Sequence, residues 1–346
     1  MQRSAALCLE TTLAAASRFV LVALIAFGAF AALLTVAGMD PLKAYLDTIR
    51  YVFGNAYGFS ELLVRMIPLL LTAVAAALPS RMGLINVGGE GQLYMGAWLA
   101  TAGALALADQ PAFILLPALT VLGFVGGGLW ALIAGGLRAL RLVNETISTL
   151  LLNYIAPMIV SFFIFGPWRD PQSSSYPQSS AFADAARLPS FMHTHINAGL
   201  AYALVCLVLY WWLMTRTRWG LDMRAIGGNP EAARQLGLPV FGYILVVMFA
   251  AGGVAGLAGM VEVSAVQGRL VSELSPGYGF MGFLVAWLAG NSAGGIVVMA
   301  FLFAFISSVG DILQITQGLP FAVVNILMAA ILFIVLGWRP AGSSPR

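Results

Sequence analysis

Lysine is all but missing from these 346 residues: Lys43 stands alone, and charged side chains of both signs make up only 9% of the chain. A nucleotide-hydrolysing P-loop needs Gly-x-x-x-x-Gly-Lys-Ser/Thr, whose lysine reaches the phosphates. Lys43 sits in Asp40-Pro-Leu-Lys-Ala-Tyr45 without those glycines, so the chain carries no Walker-type ATPase site. Cysteine is as scarce, with Cys8 and Cys206 far apart and Cys206 inside an apolar run, so no disulfide framework is implied. The two histidines, His193 and His195, form a His-x-His pair with no cysteine or carboxylate cluster beside it, a weak donor set for a metal. No Ser/His/Asp set, His-Glu-x-x-His or pair of catalytic carboxylates stands out, and no basic tract interleaved with aromatics marks a nucleic-acid surface. Acidic residues are sparse, and the nearest candidates for membrane depth are Glu90, Glu145, Glu262 and Asp311, most of them at the ends of apolar runs. A passive or partner-driven pathway fits that scarcity better than a proton relay.

What the chain has in excess is apolar sequence, 60% of all residues. Runs of about 17 to 25 apolar residues, the length that crosses a hydrocarbon core, recur along it. They predict an all-α, polytopic transmembrane helical bundle of about ten spans, forming one domain over residues 1–346. The predicted spans are Phe19 to Gly38, Leu62 to Pro79, Leu93 to Ala108, Phe113 to Leu137, Ile147 to Phe165 and Ala198 to Met214. Four more follow, Tyr243 to Val261, Tyr278 to Ala289, Ile296 to Val309 and Phe321 to Gly337, of which the first two of the last three are short enough to be broken or re-entrant. The run after Arg3 is too short for a signal-peptide core, so the first span reads as a retained anchor. With both termini inside, 11 basic residues fall on the cytoplasmic side and 6 outside, the bias that fixes orientation in membrane proteins. That topology puts 215–240 in the cytoplasm and the Pro- and Ser-rich segment 166–197 outside, either as a plain connector or as a docking surface for an external protein.

Two segments interrupt the apolar pattern. From Arg81 to Trp98, glycines at 83, 88, 89, 91 and 96 surround Asn86, Glu90 and Gln92. Irregular backbone at membrane depth is tolerated only where protein or a water-filled cavity receives its polar groups. The segment is therefore either a broken helix lining a pathway or a cytoplasmic turn; if a helix begins at Gly91, its N–H groups would point at a polar ligand. From Glu273 to Asn291 a second Gly-rich stretch leads into a short apolar helix, a possible internal repeat of the first. There Tyr278, Phe280 and Trp287 offer aromatic faces for stacking, for packing or for an interfacial belt. Between them Glu145, Thr149 and Asn153 are spaced four apart and share an arc of about 80° on one helix face, lining a wet cavity or joining helices by hydrogen bonds. Asp311, Gln314, Thr316 and Gln317 read as an outer turn, and Asn325 as a polar group within the last span.

The loop from Arg216 to Leu238 carries its own helix signals. Asn229 can cap, Pro230 fits the first turn, Glu231 complements the positive end and Gly237 can terminate. Ala232 and Ala233 offer a low-profile surface, and Arg216, Arg218, Arg224 and Arg234 give positive charge.

Gly83-Leu-Ile-Asn-Val-Gly-Gly-Glu-Gly-Gln92, Asn144-Glu-Thr-Ile-Ser-Thr-Leu-Leu-Leu-Asn-Tyr-Ile-Ala156 and Arg224-Ala-Ile-Gly-Gly-Asn-Pro-Glu-Ala-Ala-Arg-Gln-Leu-Gly-Leu238 stand in one order over residues 80–240. Together they resemble the ABC importer permeases that serve simple sugars, nucleosides and branched-chain amino acids, and within them the nucleoside branch. Sugar-specific relatives tend to carry Asp-Leu-Ser-Val-Gly where this chain has Asn86-Val-Gly-Gly-Glu90. The resemblance implies a permease without an ATPase site or cofactor of its own, moving a nucleoside by alternating access across the inner (plasma) membrane. It implies as partners an ATPase subunit, a second permease that is a paralogue, and an extracytoplasmic solute-binding protein. It makes Arg224, Gly228, Asn229, Pro230, Glu231, Ala232, Ala233 and Gly237 the coupling surface for the ATPase. The candidate pathway residues are Asn86, Glu90, Gln92, Asn153, Tyr278, Phe280 and Asn325. A simple sugar or branched-chain amino acid as cargo, and an ATPase-independent facilitator, remain as alternatives.

Overall fold

The computed structural model describes residues 40–317, except 55, 174, 175, 192 and 193, together with scattered positions between 24 and 38. Eleven α-helices are described: α1 (Pro41–Gly54), α2 (Ala56–Ser80), α3 (Gly89–Ala106), α4 (Ala112–Ala139), α5 (Glu145–Phe165), α6 (Gly199–Arg216), α7 (Arg218–Gly228), α8 (Pro230–Gln235), α9 (Val240–Val261), α10 (Tyr278–Leu288) and α11 (Ala293–Gln317). Among the described residues β-pairing is limited to isolated bridges such as Arg169 with Ser179.

The predicted polytopic helical bundle is present. Among the described residues five helical stretches are long and apolar enough to cross a membrane: α2, α4, α5, α6 and α9 with its extension to Gln267. The polar start of α3 and the 11 residues of α10, about 16 Å of helix, put these two outside that group. The predicted spans Phe19 to Gly38 and Phe321 to Gly337, and with the latter Asn325, lie outside the described residues or largely so. The α1 helix falls between two predicted spans, where no helix was expected; Asp40 caps it by accepting from the N–H groups of Leu42 and Lys43.

The chain divides into two units, residues 59–304 and the flanking residues 1–58 with 305–346. In the flanking unit Phe53 stacks on Phe305 with ring centroids 6.2 Å apart. The larger unit is built on α3, α4 and α9, whose contact lines are glycine. A Cβ on Gly256 of α9 would land on the Gly123 carbonyl oxygen of α4, and one on Gly96 of α3 would land on Gly256 itself. Lipid offers no hydrophobic drive between helices, so such backbone-to-backbone approach supplies the van der Waals contact that holds spans together. Large apolar side chains face outward instead, among them Val121, Leu151, Tyr154, Phe162 and Trp212.

After α5 the segment 166–197 packs onto the end of α9. The π turn Glu262–Gln267 closes that helix, and backbone N–H groups of Ser179, Phe182 and Leu188 donate to the carbonyls of Leu270, Gly268 and Ser264. His193 lies outside the described residues.

Candidate functional site

The chain reverses after α2 at Arg81, Met82 and Gly83, with Gly83 at φ +72°, a conformation glycine adopts without strain. It then runs back beside the helix it has just left, as a non-helical strap over residues 84–88. The Asn86 amide donates to the Ala75 carbonyl, five residues before the end of α2, which is about 7 Å of helix rise. The strap therefore packs back against α2 within the bundle.

A strap without helical bonds leaves backbone groups to be satisfied from elsewhere, and side chains of α5 take several of them. Glu145 accepts from Ile85 N–H at 3.2 Å, Thr149 from Val87 N–H at 3.4 Å, and Asn153 from Gly91 N–H at 2.8 Å. Asn153 also donates to the Val87 carbonyl at 2.8 Å. The face with the four-residue spacing thus works as a ladder of side chains, and it joins segments rather than standing open to water. Arg138 in turn sits 3.0 Å from the Glu145 carboxylate. Asn86 and Gln92 pair amide to amide in both directions, at 3.1 and 2.9 Å, and the Asn86 oxygen also accepts from Gly88 N–H. Both side chains are buried.

The expected helix start moves. The helix α3 begins at Gly89 rather than Gly91, and the Gly91 N–H, expected to face a ligand, is taken by Asn153. Glu90 differs too, because its carboxylate accepts from the Gly279 N–H of α10 at 2.7 Å. The two glycine-rich segments thus meet: a Cβ on Gly89 would stand 3.3 Å from Gly279 Cα. Thr72 of α2 completes the junction by donating to the Tyr278 carbonyl at 3.0 Å, eight residues before the end of α2 and about 12 Å from it. Two helix beginnings therefore face each other inside the bundle, with one carboxylate between them. A carboxylate at a helix N-terminus is stabilised by the local N–H groups and dipole. Beside this junction Tyr278 is buried, whereas Phe280 is 37% exposed.

At the other candidate surface the cap logic holds in detail. Asn229 accepts from Glu231 N–H and Ala232 N–H at 3.0 Å each, Pro230 takes the first position of α8, and Gly237 has φ +84°. Arg224 donates to the Met214 carbonyl at 2.6 Å and ties α7 to the end of α6. Glu231 lies 2.7 Å from Arg234 and 3.4 Å from Arg141. Gly228, Asn229, Pro230, Glu231 and Ala232 are exposed, but Ala233 is buried, so the small pair does not form one outer surface. Helical geometry accounts for that: neighbours on a helix differ by about 100°, and Ala233 turns under α8. A cavity of about 530 Å³ lies behind this loop, lined in part by Met82, Ile226, Arg138, Arg141, Glu231 and Arg234.

Sequence reasoning missed three participants. It singles out neither Thr72 nor Gly227, and it reads Arg81 only as a basic residue of the cytoplasmic side that opens the glycine-rich segment. An arginine directly after a span and directly before a helix-breaking segment was the available signal for Arg81.

The comparisons agree with this architecture. A family model described as the permease component of the branched-chain amino acid transport system matches residues 58–336. A glucose ABC transporter permease protein of Haloferax volcanii is 34% identical over 314 residues, covering 88% of this chain and 82% of that protein. The guanosine ABC transporter permease protein NupP of Bacillus subtilis is 31% identical over 319 residues, 90% of each chain. The nucleoside ABC transporter permease protein NupB of Lactococcus lactis is 32% identical over 333 residues, 92% of this chain and 91% of that one. With its apolar helices and this breadth of match, the chain belongs to the family described as the permease component of the branched-chain amino acid transport system, whose relatives here are ABC transporter permease proteins.

Proposed function

We propose that this chain is the membrane-spanning subunit of an ATP-driven importer and that its cargo is a nucleoside. The observation that carries the substrate reading is the match to two nucleoside-type permeases along nine tenths of the chain. The strap motif from Gly83 to Gln92 supports it through its likeness to the nucleoside branch. A hexose is the second reading, favoured by the 34% identity to the glucose permease.

In this reading 215–240 is the cytoplasmic coupling loop, both termini are cytoplasmic, and 166–197 faces the binding protein that delivers the solute. The partner ATPase grips the exposed residues from Gly228 to Ala232 with Arg224 and Gly237, and Ala233 supports α8 from beneath. A second permease, a paralogue, completes the pathway in the lipid bilayer. Asn86, Gln92 and Asn153 act by holding the strap, Glu90 and Tyr278 form the junction, and Phe280 presents an aromatic face. Alternating access follows if the ATPase binds one state of the bundle better than the other, since equal affinity for both shifts nothing.

The test is uptake of radiolabelled uridine and adenosine by cells expressing the chain with its partner subunits. ATPase-dependent uptake that other nucleosides compete and glucose does not is the expected result. Competition by glucose alone assigns the hexose, and uptake that persists without the ATPase makes the chain a facilitator.

A further inference from the structure

The segment from Arg81 to Glu90 holds α10 at both ends. At the start Glu90 accepts from Gly279 N–H. At the far end the chain turns through Gly290 at φ +59° and Asn291 at φ +55°, which aims the Asn291 carbonyl back into the bundle. Asparagine is one of the few side-chain-bearing residues that tolerates this left-handed conformation. That carbonyl accepts twice, from the Arg81 guanidinium (Nη2) at 2.7 Å and from the Tyr210 hydroxyl of α6 at 2.6 Å. Arg81 Nε also donates to the Tyr210 oxygen at 3.2 Å, which closes a three-membered ring of hydrogen bonds. Tyr210 is only 2% exposed. Bonds from a charged donor are shorter and stronger than neutral ones, so this ring is a stiff element.

The opposite side of Arg81 meets the cytoplasmic loop. A Cβ on Gly227 of α7 would stand 2.5 Å from the Arg81 carbonyl oxygen and 3.1 Å from the backbone of Met82. Glycine leaves α7 resting on the backbone of the α2 turn with nothing soft between them. Backbone pressed on backbone passes displacement on, because packed interiors do not compress.

We propose that Arg81 and Tyr210 are positioning residues of the transport cycle, forming the joint through which a shift of α7 is passed to α10 and so to the junction at Glu90. This rests on reading 215–240 as the coupling loop. Neither residue needs to touch solute or nucleotide. Arg81 converts movement of the turn into movement of the Asn291 carbonyl, and Tyr210 supplies the fixed bearing on α6.

The experiment uses the whole importer in proteoliposomes, with its ATPase, second permease and binding protein. Tyr210→Phe, Arg81→Gln and Gly227→Ala are compared with the unaltered complex in two readouts: nucleoside uptake per ATP hydrolysed, and amide hydrogen exchange over residues 278–291 with and without ATP. Tyr210→Phe keeps the ring packing and loses both hydroxyl hydrogen bonds, the one donated to Asn291 and the one accepted from Arg81, so uptake per ATP should fall at least roughly five- to tenfold. The ATP-dependent difference in exchange should shrink with it, while ATP hydrolysis continues. Exchange raised equally in both nucleotide states at an unchanged uptake ratio would make the ring a stabiliser only and overturn the joint. Loss of Arg81→Gln through misassembly leaves Tyr210→Phe and Gly227→Ala to decide. An unaltered complex with no ATP-dependent exchange difference also overturns it. One that shows the difference but takes up no nucleoside refutes the substrate reading and leaves the joint standing.

Discussion

Asn153 is buried and serves two backbone groups at once, the Gly91 N–H and the Val87 carbonyl. Replacing it by alanine leaves both without a partner, and each orphaned buried group costs about 1–3 kcal/mol. Asn153→Ala should therefore lower the thermal unfolding midpoint of the purified protein clearly, and Thr149→Val, which removes a long bond of 3.4 Å to the strap and a local one to the Thr146 carbonyl of its own helix, should lower it less. An unchanged midpoint for Asn153→Ala would mean that water reaches the strap. Glu90 poses a different question, whether its charge or its acceptor oxygen matters. The observed contact needs only an oxygen facing Gly279 N–H, and a glutamine retains one. Glu90→Gln should keep most of the ATP-dependent uptake while Glu90→Leu loses it; equal loss in both variants would assign the role to the negative charge.

The glycines decide how α3, α4 and α9 approach. At Gly256 a methyl group would collide with backbone atoms of Gly123 and Gly127, which no rotamer change can relieve. Gly256→Ala should then separate α4 from α9 and cost at least the roughly 1–3 kcal/mol of an overpacked core. Gly242→Ala, where nothing lies within 4 Å, should be silent, and the two can be compared by the yield of monodisperse protein in detergent. Equal yields would show that the helices part without cost. Legibility in the sequence followed the same division between local and distant causes. The long helices could be read because a bilayer imposes their length, and the cap at Asn229 because side chain and target lie two and three residues apart. The start of α3 was misplaced by two residues because it is held by Asn153, 62 residues further along the chain. The meeting of Glu90 with Gly279 was equally hidden, since those residues are 189 apart and composition alone linked their segments. Ala233 read as surface because a six-residue helix has too few turns to reveal its buried side by periodicity.

At the scale of the whole molecule the question is whether 215–240 carries force or merely connects α6 to α9. Glu231 separates the two. Its side chain is largely exposed, lies between Arg141 and Arg234, and contributes little to the fold, since exposed ion pairs are worth about 0–1 kcal/mol. Glu231→Arg leaves the cap at Asn229 intact but places a third positive charge beside Arg141 and Arg234 on the exposed face of α8. Insertion and thermal stability should change little, whereas ATP-dependent uptake should be abolished. Asn229→Ala is the complementary variant: it removes two accepted hydrogen bonds, costs about 0.5–2 kcal/mol of local helix stability, and should weaken uptake by loosening α8 without changing its charge. If Glu231→Arg takes up solute normally, the loop is a connector, and the origin of ATP dependence must be sought elsewhere on the chain. If uptake is lost together with insertion, the same residue is structural, and salt should then rescue Glu231→Arg because screening relieves repulsion between exposed charges. The expected pattern, lost uptake with intact insertion, requires that a second body rests on α8.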